Sequence, residues 1–348
     1  MPTGKAYVPS IRPLSPEELA AIEDELLGLY AQTAEDLLAI IKREDVTSWR
    51  KAWSKQHLNQ VRDALASLNA ETDAWASANI PSLYEHGLAV ADAYLMAPEH
   101  VPLYQAARAQ GLDHFAAVAE VNKLTGDAGP GGLSVAAHPG QVTPMDLGFT
   151  RMHREAVLTL TENIVKPLGE ANAYVGQHIE SMMARAKLLT KQYGGYAKSW
   201  DRQERIRDAS LRTMQQAFAR GDTPQQAEKA FLEALRKRGI TSFVDRAGRQ
   251  WDMTTYAQTV VPQAASEAQR HGLENRLIER GQDLVQVTGT RSSAGLNTCD
   301  ACKRYAGRVL SLTGETPGYP LMNTALDEGL FHPHCHHSSI PYIEEYMA

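Results

Sequence analysis

Gly239-Ile240-Thr241-Ser242-Phe243-Val244-Asp245-Arg246-Ala247-Gly248-Arg249-Gln250-Trp251 is where the chain changes its period. Upstream, apolar residues recur at helical spacing with few interruptions. Here Ile240, Phe243 and Val244 lead into a charged turn ending at Gly248, with Trp251 beyond it, which is the pattern of a short extended pair around a glycine turn. The stretch separates a helical chain from an α+β tail. The expected fold is therefore mainly α, with long helical N-terminal and middle regions and a small α+β C-terminal domain.

Working back from that point, Gly239 sits where a helix C-cap belongs. The helix it would close begins with Thr223-Pro224-Gln225-Gln226, a capping box with proline at the first helical position. Its stripe is Ala227, Ala230, Phe231, Ala234 and Leu235. Helical spacing also covers about 198–220 and 150–190, the latter through Met152, Val157, Leu160, Ile164, Leu168 and Ile179. Residues 125–148 hold too much glycine and proline to sustain helix and read as a linker or long loop. Before them, Ser15-Pro16-Glu17-Glu18 starts a helix over about 16–43, with Leu19, Ile22, Leu26 and Leu29 inward and Glu23, Asp24 and Glu25 outward. Helix continues over 46–79, where Trp49 and Trp53 form an i,i+4 pair, and resumes over 81–96 and 101–124. Downstream, a helix is expected over 254–271, strands at 283–288 and 307–310, and short strands and loops after Arg291. The expected organisation is a helical region at 1–124, a linker at 125–148, a helical middle region at 149–238 and an α+β domain at 239–348.

At 348 residues, with 43% hydrophobic and 22% charged content, the chain has the composition of an ordinary folded protein. No run of about 18 uncharged apolar residues occurs, so no membrane-spanning helix is expected. Arg12 and Glu17 interrupt the N-terminal stretch before any apolar core of signal-peptide length, which predicts no secretory signal. Net charge is −6 but unevenly spread: residues 1–140 hold 10 Lys/Arg against 18 Asp/Glu, and residues 185–308 hold 22 against 13. The basic part includes Arg202, Arg205, Arg207, Arg212 and Arg236-Lys237-Arg238, which suits non-specific phosphate contact. Interleaved Asp201, Glu204 and Asp208 equally suit intrahelical pairing.

All three cysteines fall in the last 50 residues, among four of the twelve histidines. Cys299-Asp300-Ala301-Cys302 is a C-x-x-C knuckle, and His332-Pro333-His334-Cys335-His336-His337 supplies H-x-x-C at matching spacing. A structural zinc takes four thiolate or imidazole ligands, commonly a pair from each of two loops. The candidate ligands are four of Cys299, Cys302, His332, Cys335 and His337, with His337 the rival to His332. A segment this poor in apolar residues would draw folding free energy from such a staple. Reduced cysteines without metal, or a catalytic metal or thiol with Glu328, close in sequence, as its carboxylate, are the competing readings. No thioredoxin-like βαβ unit surrounds the C-x-x-C, and no G-x-S-x-G or H-E-x-x-H occurs, so no enzymatic activity is expected.

Gly239-Ile240, Phe243, Asp245 to Arg249, Trp251, Tyr256, Gly281, Asp283 to Val285 and Val287 together resemble the tailed-phage minor capsid protein 2 family. So does the ending through Cys299, Cys302, Gly307 to Val309, Tyr319-Pro320, Glu328 to Pro333, Cys335, His337-Ser338 and Pro341-Tyr342. That family is related at its C-terminus to the Mu F-like head morphogenesis proteins. The resemblance covers about 200–345. Two departures stand out: Pro262-Gln263 where the family often has Arg-Thr, and imidazoles at His334 and His336 where it has Asn and Arg. The resemblance implies a low-copy, non-enzymatic virion protein made in the bacterial cytoplasm. It would sit in several copies around the portal or against the major capsid shell, and act in head assembly, DNA packaging or ejection. The alternatives are a nucleic-acid-binding zinc protein and a metal-dependent or Cys/His enzyme.

Overall fold

The computed structural model describes residues 11–42, 55–96, 100–112, 114–125, 151–193, 241–244, 249–288, 300–333, 335 and 337–343. Among them the helices are α1 (Pro16–Lys42), α2 (Lys55–Leu95), α3 (Val101–Ala109), α4 (His114–Thr125), α5 (Arg151–Tyr193), α6 (Met253–Glu279), α7 (Asp300–Tyr305) and α8 (Met322–Asp327). Strands β1 (Ser242–Val244) and β2 (Gln250–Asp252) pair antiparallel with Phe243 opposite Trp251. Strands β3 (Leu284–Val287), β4 (Val309–Ser311) and β5 (Ser339–Pro341) form an antiparallel sheet in the order β4-β3-β5. The fold is mainly α with a small C-terminal sheet, as the periodicity predicts. The helices expected over 198–220 and after Thr223, the Trp49–Trp53 pair and the 125–148 stretch beyond Thr125, which ends α4, lie outside the described residues.

The start of α1 follows from its capping box. Glu18 N–H donates to Ser15 Oγ at 3.3 Å and Ser15 N–H donates to Glu18 Oε2 at 2.7 Å, while Arg12 grips both Glu18 oxygens. The Arg12 hydrogen bonds hold the Glu18 carboxyl down at about 2. The expected break at Pro81 does not occur: α2 runs through it. Ile80, Leu83, Tyr84 and Leu88 are all buried around it, and this burial outweighs the roughly 3 kcal/mol that an interior proline costs. Conversely, the single helix expected over 101–124 is two. The chain turns at Gly111, whose φ of 84° only glycine adopts readily, and Gly111 N–H closes the turn on Arg108 O at 3.0 Å. Asp252 caps α6 by accepting Thr254 N–H at 3.0 Å and Thr241 Oγ1–H at 2.8 Å.

The described residues fall into two compact units, interleaved along the chain. The unit drawn from 24–75 and 164–261 buries Leu26, Tyr30, Leu37, Leu38, Val61, Leu68, Ile164, Leu168 and Ile179. A polar chain threads this core. Asn172 Nδ2 donates to Tyr30 Oη at 3.1 Å, the phenol reaches Thr72 Oγ1 at 3.4 Å, and Thr72 donates to Leu68 O at 2.7 Å. The hydroxyls of Tyr30 and Thr72 thereby both have partners in this core.

The unit drawn from 1–23, 76–163 and 262–348 holds the sheet. Its core joins Val90 and Ala91 of α2 and Leu273 and Leu277 of α6 to Val285, Val287, Tyr305, Leu310, Met322, Ala325, Leu330 and Phe331. The two helices meet backbone to backbone at paired glycines: a Cβ on Gly87 would lie 2.0 Å from Gln269 O, and one on Gly272 would lie 2.0 Å from Tyr84 O. Beside this crossing, Asn275 Nδ2 donates to Tyr84 Oη at 2.8 Å, so the phenol donates to His153 Nδ1 at 2.8 Å. His153 Nε2–H then donates to Glu279 Oε2 at 3.2 Å, which Arg276 also contacts at 2.6 Å. Burial pushes Tyr84 up to about 12 and His153 down, the latter against the hydrogen bond to Glu279. Asp283, at the entry to β3, accepts from Ser311 Oγ, Thr313 N and Oγ1, and Thr316 N at 2.6–3.1 Å. Burial would raise its carboxyl, but these donors outweigh burial and hold it far below the usual range.

Candidate metal centre

Three short segments of the sheet-bearing unit converge at its cysteines. Cys302 lies in α7, whose end is closed by Ala306 N–H donating to Cys302 O at 2.8 Å. After α8 the chain turns through Gly329, φ 93°, with Leu330 N–H donating to Ala325 O at 2.9 Å, and buries Leu330 and Phe331 in the core. Phe331 itself has φ 58°, a left-handed conformation uncommon for an aromatic residue. It is held there from α6: Gln263 Nε2 donates to Phe331 O at 3.2 Å, and the Arg270 guanidinium sits 5.0 Å over the ring while ion-paired with Glu274 at 3.1 Å. A tight turn follows, with Cys335 N–H donating to His332 O at 2.9 Å. Thr288 N–H to Ser338 O at 2.7 Å and Ser338 N–H to Thr288 Oγ1 at 2.8 Å lock the chain into β5.

These constraints bring Cys302 Sγ and Cys335 Sγ to 3.5 Å, and Cys335 Sγ and His337 Nδ1 to 3.6 Å. The ligand atoms of Cys302, Cys335 and His337 all lie within 4.8 Å of one another, so this group can hold a metal ion. A tetrahedral zinc with usual bond lengths separates its ligand atoms by about 3.3–3.8 Å, and the observed spacings fit. His332 Nε2 is 3.5 Å from Cys302 Sγ but lies outside that mutually close set. Its Nδ1–H donates to Pro333 O at 2.7 Å, which leaves Nε2 as an acceptor facing the sulfur. Cys299, His334 and His336 lie outside the described residues. Glu328 is engaged elsewhere, accepting from Tyr305 Oη and Arg304 Nη1 at 2.9 Å each.

A cavity of about 270 Å³ opens beside the cluster, walled by His332, Cys335 and His337 on one side and by Gln263, Glu267 and Arg270 of α6 on another, with Leu19 and Glu23 of α1. Glu23 is buried, not outward as its neighbours suggest: it lies four residues after Leu19 and three before Leu26, on the same helix face. Sequence reasoning missed Gln263 and Arg270 as supports, because nothing local links α6 to a turn more than 60 residues on.

Residues 202–348 match a family model described as Phage minor capsid protein 2. Over those residues the chain is similar to that phage minor capsid family. The match supports a structural phage head protein and a virion location. No curated protein and no solved structure matches the chain. Several positions shared with the minor capsid family have visible structural work: Gly281 and Gly307 take φ of 71° and 73°, Asp283 gathers the loop after β4, and Tyr342 N–H pairs with Leu284 O at 3.0 Å. At the departure Pro262-Gln263, α6 runs through the proline and Gln263 supports the Phe331 turn. Among the described residues no helix is long and apolar enough to cross a membrane.

Proposed function

We propose that the chain is a low-copy structural protein of the phage head, associated with the portal or the inner capsid surface and acting in head assembly, DNA packaging or ejection. The observation that carries this is the minor capsid family match over residues 202–348. Its C-terminal unit would be stapled by a structural zinc through Cys302, Cys335 and His337, with Cys299 or His332 as the fourth ligand. The mutual spacing of the first three ligand atoms supports His337 over its rival. The metal's role is to cross-link α7 to the turn before β5, and no chemistry on a substrate is assigned to it. The basic stretch over 185–308 would face packaged DNA through non-specific phosphate contacts.

The test is co-sedimentation of the purified chain with purified portal rings and, separately, with empty capsid shells, alongside metal analysis of the same preparation. Binding to either assembly and about one zinc per chain are expected. A chain that sediments with neither would remove portal or shell association, and a metal-free folded chain would remove the staple.

A further inference from the structure

We infer that Cys302 and Cys335 form a second cross-link at the same place: an intramolecular disulfide that takes over when the metal is lost and a hydroperoxide is present. The two sulfurs already stand 3.5 Å apart. Closing to the S–S bond length of about 2.05 Å moves them by only about 1.5 Å.

The site is also asymmetric in the way a two-step oxidation needs. Cys335 is half-buried and lines the 270 Å³ cavity, whereas Cys302 is 2% exposed and is not on the cavity wall. Hydrogen peroxide entering the cavity therefore meets Cys335 first. His337 N–H points at that sulfur from 3.5 Å and stabilises negative charge on it. Attack of the Cys335 sulfur on the peroxide forms an S–O bond and breaks the O–O bond; the departing hydroxide takes up the proton that the Cys335 thiol gives up and leaves as water, and a sulfenic acid remains. The Cys302 sulfur then attacks the Cys335 sulfur, forming the S–S bond and breaking the S–O bond. The departing hydroxide leaves as water with the Cys302 proton, which faces the acceptor His332 Nε2 at 3.5 Å. In sum two thiols lose two electrons and two protons, and one peroxide becomes two waters.

The inference rests on the metal reading in one respect: a bound zinc occupies both sulfurs and blocks both steps. It rests on the virion reading in another. A protein made in a reducing cytoplasm and then released in particles passes from conditions that keep thiols reduced to conditions that oxidise them. The cross-link between α7 and the turn before β5 would be kept through that change.

The experiment uses the full chain, with zinc measured by mass spectrometry before and after chelation. Metal-loaded and chelated samples receive one equivalent of hydrogen peroxide, remaining thiols are blocked with iodoacetamide, and the protein is cleaved before Asp300, which separates Cys299 from Cys302. The chelated sample is expected to yield a Cys302–Cys335 linked peptide lighter by two hydrogens, with Cys299 alkylated, and the loaded sample to lose that peptide. Cys302→Ser should stop at a Cys335 sulfenic acid captured by dimedone. Cys299→Ser, which leaves both partners in place, should still form the link. A Cys299–Cys302 or Cys299–Cys335 disulfide, a link between chains, or three alkylated cysteines would overturn the inference. A chain that never holds zinc yet forms the Cys302–Cys335 link removes the metal reading and upholds this one. Bound zinc with no link after chelation does the reverse.

Discussion

Gly272→Ala places a methyl group where the α2–α6 crossing has no room. The new Cβ would stand 2.0 Å from Tyr84 O, 2.9 Å from Tyr84 C and 3.2 Å from Tyr84 Cα. Ordinary carbon contacts are about 3.5–4.0 Å, so the helices must part by more than an ångström. The added Cβ is fixed by the backbone and the atoms it meets are backbone, so no rotamer change relieves the clash. Parting them loosens Val90 and Ala91 from Leu273 and Leu277, and strains the Tyr84–His153–Glu279 chain. Overpacking of this kind costs about 1–3 kcal/mol, occasionally more, while alanine in place of a helical glycine returns up to about 1 kcal/mol. Net of that gain the expectation is a loss of up to about 3 kcal/mol, or up to roughly 10 °C in Tm for a unit of this size. Gly28→Ala and Gly169→Ala are the controls: both are helical, and nothing lies within 4 Å of the added Cβ. They should be neutral or stabilising by about 0.5–1 kcal/mol. Urea and thermal unfolding followed by circular dichroism would compare the three. A Gly272→Ala protein as stable as the controls would refute the close crossing, and with it the placement of α6 behind the candidate centre.

Three further outcomes follow from the same geometry. Cys335→Ser should release the metal and raise protease cutting within 300–343 selectively, and unchanged resistance there would remove the staple. The sheet-bearing unit should lose stability as pH falls below the ordinary imidazole value of 6.5, because His153 is held neutral when folded while the unfolded chain takes up the proton. That contribution is fully present above 6.5 and is lost as pH falls through the lowered folded value. His153→Gln should flatten the dependence between pH 7 and 5, and an unchanged slope would move its origin elsewhere. A fragment of residues 239–348 lacks Val90 and Ala91, which close the apolar face of the sheet. It should bind a hydrophobic dye and show no sharp unfolding transition, whereas a cooperative, dye-silent fragment would mean that the region folds alone.

Much of this was legible where local chemistry decides the outcome. Ser15 and Glu18 announce α1 because a capping box satisfies donors within four residues. The charged stretch 245–248, ending in glycine, announces the β1–β2 pair, and the gathering of cysteines and histidines after residue 298 announces that Cys302, Cys335 and His337 meet. Legibility failed where distant burial overrides local preference. Pro81 stays inside α2 because Ile80 and Tyr84 are buried around it. Glu23 turns inward, and Gln263 and Arg270 of α6 hold Phe331 more than 60 residues ahead. Strand β5 hid behind Pro341, which is tolerated because β5 is an edge strand of the β4-β3-β5 sheet. Helices α7 and α8 are six residues each, too short for a periodic signal. The interleaving of the two compact units leaves no composition shift at residues 23, 75, 163 or 261 to mark it.

The proposed place of this chain is the phage head, at low copy number. Quantitative mass spectrometry of purified particles of the encoding phage, with portal and major capsid subunits as internal standards, tests it most directly. The chain should be found in mature particles at a copy number comparable to the portal ring or below. Its presence in infected cells and absence from particles would contradict the claim and return the cysteine–histidine cluster to the status of a candidate active site.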